Sequence, residues 1–118
     1  MVHDALNRWR RLLEPELEQC VMPVRWRDLL AMDPSRLRVH EAAHSVLVLL
    51  DVDVAGLPVR TVLCACGRLD EFRGMAQAVE IEARREGITR VVWMGRRGWL
   101  KAMPGWVERA VVAERKLT

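Results

Sequence analysis

A chain of 118 residues, 51% hydrophobic and 30% charged, buries a real core under a well-solvated surface, which excludes a disordered polypeptide. The net charge of +3 permits contact with acidic surfaces but falls short of what a nucleic-acid-binding domain demands. The longest apolar run, residues 46–50, is too short to span a membrane, and the charge-broken opening MVHDALNRWRRLLEPELEQC is no signal peptide.

Residues 4–20 read as a helix, because Leu6, Trp9, Leu13, Leu17 and Cys20 recur at three- and four-residue spacing. Pro15 is expected to bend or split it. Trp26, Leu29 and Leu30 suggest a short second helix, closed by the turn Asp33-Pro34-Ser35. The period then changes. Val46, Val48, Leu50, Val52 and Val54 fall on one face and Asp51 and Asp53 on the other, predicting a strand over residues 44–54. Residues 55–58 form a turn, and 59–66 a second strand that pairs antiparallel with the first.

Gly67 ends that strand. Leu69, Phe72, Ala76, Val79 and Ala83 trace the stripe of a main helix at about 70–86, with Gly87 as its stop. A strand over 88–94, a glycine-rich loop over 95–106 and a last strand over 107–117 complete the order. We expect a single α+β domain over 1–118, with a helical part at 1–33 and a sheet with its central helix at 44–117. Three cysteines, Cys20, Cys64 and Cys66, make no disulfide framework and fit reduced, buried thiols.

His40-Glu41-Ala42-Ala43-His44 carries the His-Glu-x-x-His spelling of zinc peptidases, which place both histidines on one helical face with the glutamate over a metal-bound water. The alternation that follows argues for extended backbone instead. There, positions 40 and 44 share a face but stand roughly 13 Å apart, too far to chelate one metal. No metal is expected.

The second half carries a more specific pattern: an amphipathic helix ending EIEARREG, the strand ITRVVWM and the turn GRRGW. These resemble the C-terminal half of the GNAT acyltransferase fold. They more closely resemble small GNAT-like proteins encoded among the virion-assembly genes of tailed bacteriophages, where a Gly-Arg-x-Gly-Trp turn follows the strand, as Gly95, Arg96, Gly98 and Trp99 do here. RWRRLLEPELEQ, WRDLL and HSVLVLLDV look like the family's two opening helices and first long strand.

The resemblance implies a reduced GNAT-like fold with a mixed central sheet, and places the protein in a virion or the host cytoplasm among phage structural proteins. In an active member, backbone N–H groups between a strand and a helix grip the coenzyme pyrophosphate. The matching stretch here is residues 64–69, where Gly67 fits and Arg68 supplies a cation, while Leu69, Asp70 and Glu71 depart from the pattern. The chain has no tyrosine to serve as the family's usual acid. The expectation is therefore a non-catalytic binding protein without cofactor. An acetyl-CoA-dependent N-acyltransferase is the first alternative and a zinc hydrolase the second. The interaction surface is expected at Arg96, Arg97, Trp99, Lys101 and Trp106, whose residue types dominate interface energetics. Those cations are also where phosphate would be met.

Overall fold

Leu6, Leu13 and Leu17 set one stripe of the first helix, α1 (Val2–Gln19), and all three are fully buried against the sheet. Each such side chain contributes about 1.5–3 kcal/mol relative to exposure. The computed structural model of the chain describes residues 1–20, 23–93, 105–107 and 115. Of the expected bend or split at Pro15, the split does not occur: α1 runs through it unbroken. Pro15 lies exposed in the last turns, away from the packed stripe.

The short α2 (Trp26–Ala31) follows, with the Arg10 guanidinium 5.2 Å from the centre of the buried Trp26 ring. Asp33 then accepts hydrogen bonds from the Ser35 N–H at 2.9 Å and the Ser35 hydroxyl at 2.8 Å, fixing a single 3-10 turn over Pro34–Arg36.

The next element is one that the sequence reading missed. Residues Leu37–Glu41 form a strand, β1, at the sheet edge, pairing antiparallel with β2 (Val46–Val54). Residues 42–45 make the hairpin turn between them, closed by the Ala42 N–H to the Ser45 carbonyl at 2.8 Å. The extended strand thus begins at Val46 rather than at residue 44. β2 pairs antiparallel with β3 (Leu57–Cys66) through a tight turn in which Ala55 and Gly56 both have positive φ.

The register of β2 against β3 steps between Val48 and Leu49, leaving Leu63 as an extra residue on β3. That bulge switches the facing of β3. Arg60 and Val62 look toward the helix α3 (Leu69–Arg85), while Cys64 and Cys66 look toward α1. Helix α3 ends as its sequence predicts: Gly87 has φ +75, its N–H reaches the Arg84 carbonyl, and the Ile88 N–H reaches that of Ala83. The chain then returns as β4 (Arg90–Trp93), parallel to β3.

The result is an α+β fold with a four-stranded mixed sheet, order β1-β2-β3-β4. α1 and α2 pack on one face over Val46, Val48, Cys64 and Cys66, and α3 packs on the other over Leu47, Leu49 and Val62. Of the predicted last strand, only Val107 and Arg115 lie among the described residues. No helix among those residues is long and apolar enough to cross a membrane.

Candidate functional site

The junction of β3 with α3 brings the sequence-predicted Gly67 and Arg68 against the start of β2. Gly67 adopts φ +129, and a Cβ there would fall 2.5 Å from the His44 carbonyl oxygen and the Ser45 Cα. Only glycine tolerates that approach. The Arg68 N–H donates to the Ser45 hydroxyl at 2.8 Å, and that hydroxyl in turn donates to the Glu71 carboxylate. The same carboxylate oxygen accepts the His44 N–H at 3.0 Å. Ser45 itself is fully buried.

The Arg68 guanidinium turns to Asp70, with contacts of 2.9 and 3.1 Å. Arg68, matched to the coenzyme loop by the resemblance, is thus bonded to Ser45 and Asp70, and Asp70 and Glu71 lie in the first turn of α3. Two carboxylates there repel an anion by about 3 kcal/mol per unit charge pair at ~5 Å and an effective dielectric near 20.

Beside this junction runs an open groove of ≈ 440 Å³ between the β1–β2 turn and α3, lined by His40, Glu41, Asp70, Glu71, Gly74 and Met75 among others. The zinc-peptidase spelling straddles its hairpin. His40 sits on β1 with Nε2 3.3 Å from Glu82 on α3, while His44 is an exposed turn residue. Glu41 reaches α1 instead, accepting from Arg8 at 2.8 Å and from the Trp9 indole N–H at 2.7 Å. Those two bonds hold its carboxyl below the usual range. Among the described residues, no group of three or more His, Cys, Asp or Glu side chains is arranged to hold a metal.

A charged cluster that the sequence reading did not single out lies further along the same face. Arg60, fully buried, binds Asp51 through two contacts of 2.7 and 2.9 Å and Glu86 at 2.9 Å. Arg38 adds a bond to Glu86 at 3.1 Å. The two arginines hold the Glu86 carboxyl down to about 2. Burial lowers the His40 pKa, with Glu82 opposing the shift. A signal for this cluster existed: with the turn centred between Ala55 and Gly56, Asp51 falls opposite Arg60.

Of the predicted interaction residues, Trp106 is described. Its ring meets Trp93 edge-on at 5.9 Å, and its indole N–H donates to Glu80 on α3 at 2.9 Å. Arg96, Arg97, Trp99 and Lys101 lie outside the described residues.

No family model matches the chain, and no curated protein matches it. Two solved structures of TTHA1254 from Thermus thermophilus are similar, each at 20% sequence identity. The wild type aligns with TM-score 0.55 over 70% of this chain and 72% of that one. A mutant form aligns with TM-score 0.59 over 89% and 93%. At this identity the likeness is one of fold.

Proposed function

We propose that this chain is a reduced GNAT-like domain that works by binding, as a virion or virion-assembly component of a tailed bacteriophage in contact with other structural proteins. The fold part is supported by the strand order, in which three antiparallel strands lead through α3 to a parallel β4. The helix between the parallel pair starts two residues after Gly67, the one glycine of the predicted coenzyme loop.

The observation that carries the non-catalytic reading is the closure of that loop on itself. Ser45 occupies the Arg68 N–H, and Glu71 sits where a phosphate would need positive potential. The absence of tyrosine from the sequence points the same way. The partner class rests on the Gly95, Arg96, Gly98, Trp99 turn and its likeness to phage virion-assembly proteins. The loop over 95–106 is the surface we assign to that contact, with Trp106 anchoring its end against Trp93 and Glu80.

An acyl-CoA N-acyltransferase is the second reading, favoured by the position of α3 at the end of a parallel strand pair. Incubation with acetyl-CoA and a panel of amines, read by free-thiol release, separates the two. The binding reading expects no release above the background rate, and sustained turnover overturns it. The partner is tested by recovering the chain in purified virions, where Arg96→Ala with Arg97→Ala should abolish recovery at unchanged melting temperature. Undiminished recovery of that double variant removes the loop from the contact.

A further inference from the structure

All three cysteines gather on the α1 side of the sheet. Cys64 and Cys66 flank Ala65 on β3 with their sulfurs 3.6 Å apart, and both are buried. Cys20 caps the end of α1, half-buried, with its thiol within 3.4 Å of the carbonyl of Leu63, the residue before Cys64. The three thiols form a chain leading from the surface into the core.

We propose that Cys20 and Cys64 are an oxidisable pair, which a peroxide converts to a disulfide joining the end of α1 to β3. The alternative bond within the strand is geometrically poor. Two residues apart on an extended strand, Cα atoms stand about 6.6 Å from each other, at the far limit for a disulfide. Cys20 is under no such constraint, since it follows the last helical residue and its backbone is already extended. The bulge at Leu63 loosens β3 beside it.

The chemistry balances with hydrogen peroxide as oxidant. Peroxide transfers one oxygen to the Cys20 sulfur, giving a sulfenic acid and one water. The Cys64 sulfur then attacks the Cys20 sulfur, forming the S–S bond and expelling the sulfenic oxygen as a second water. Two thiols lose two hydrogens, and the peroxide is reduced to two waters. Burial holds the Cys20 thiol above its ordinary pKa, so the reaction is slow at neutral pH and quickens as pH rises.

The test is peroxide treatment of the full chain, then tryptic mass mapping without reduction. Cleavage at arginine puts Cys20 in peptide 12–25 and both strand cysteines in peptide 61–68. The expected product is these two peptides joined, with the intact mass lower by two hydrogens. The melting temperature should rise by roughly 10 °C and return on treatment with dithiothreitol. Cys66→Ser should keep the cross-link, and Cys64→Ser should lose it. The proposal is overturned if peptide 61–68 alone loses two hydrogens. It is equally overturned if the link survives Cys64→Ser, if the bond joins two chains, or if all three thiols stay titratable.

Discussion

The Ser45 hydroxyl accepts the Arg68 backbone N–H at 2.8 Å, tying the start of β2 to the start of α3. Because Ser45 is fully buried and also serves Glu71, removing its oxygen takes the acceptor from the Arg68 N–H and one of two donors from the Glu71 carboxylate. Ser45→Ala should therefore cost about 1–3 kcal/mol. Urea unfolding checks this, as a lower midpoint at an unchanged slope.

The two glycines flanking this junction should respond with opposite sign. Gly67→Ala forces a methyl group into Ser45 at a φ that L residues rarely adopt, and should cost about 3 kcal/mol or more. Gly74 lies inside α3 with nothing within 4 Å of a would-be Cβ. Gly74→Ala should stabilise by about 0.5–1 kcal/mol, since alanine loses less backbone entropy in a helix. Thermal melts of both variants read the contrast directly.

The Arg60 cluster should set the acid limb of stability. Arg60→Met leaves Asp51 and Glu86 without their buried cation, and should cost about 3–5 kcal/mol. Glu86 titrates near 2 in the fold against an ordinary 4.5, so its contribution is full above pH 4.5 and is lost as pH falls toward 2. The gap in stability between wild type and Glu86→Gln should close over that window. His40 acts earlier. As a base whose folded pKa is lowered from 6.5, it contributes fully above pH 6.5 and loses that contribution as pH falls through its folded value. His40→Asn should flatten the slope just below pH 6.5, measured by unfolding midpoints across pH.

Ala55 holds φ +53 as the first residue of the β2–β3 turn, followed by Gly56 at φ +81. A pair of positive φ values suits asparagine followed by glycine far better than alanine followed by glycine. Ala55→Asn should raise stability by about 0.5–1 kcal/mol. No shift, or a loss, in its melting temperature would contradict this turn geometry.

Much of the fold was legible because its periods are clean. The stripes of Leu6, Leu13 and Leu17 and of Phe72, Ala76, Val79 and Ala83 fixed both long helices, and Val46 to Val54 fixed β2. β1 was not legible, because Arg38, His40 and Glu41 make an edge strand whose polar side chains meet partners far away in sequence: Arg8 on α1, Glu82 on α3 and Glu86 just past its end. The bulge at Leu63 was hidden too, since an apolar run reads the same whichever face each residue takes. At the site, the need for glycine at 67 was visible in sequence, but its cause was not. Ser45 lies 22 positions away, and only the sheet brings it beneath the turn. Arg60 was passed over because a lone arginine in an apolar strand gains its meaning from the cross-strand Asp51.

We propose that a junction closed by Ser45, Glu71 and Asp70 does not receive a coenzyme pyrophosphate. Calorimetric titration of the full chain with acetyl-CoA tests it most directly. No saturable heat is expected at millimolar ligand. A micromolar dissociation constant, about −8 kcal/mol, would contradict it and show that the junction opens to admit the coenzyme.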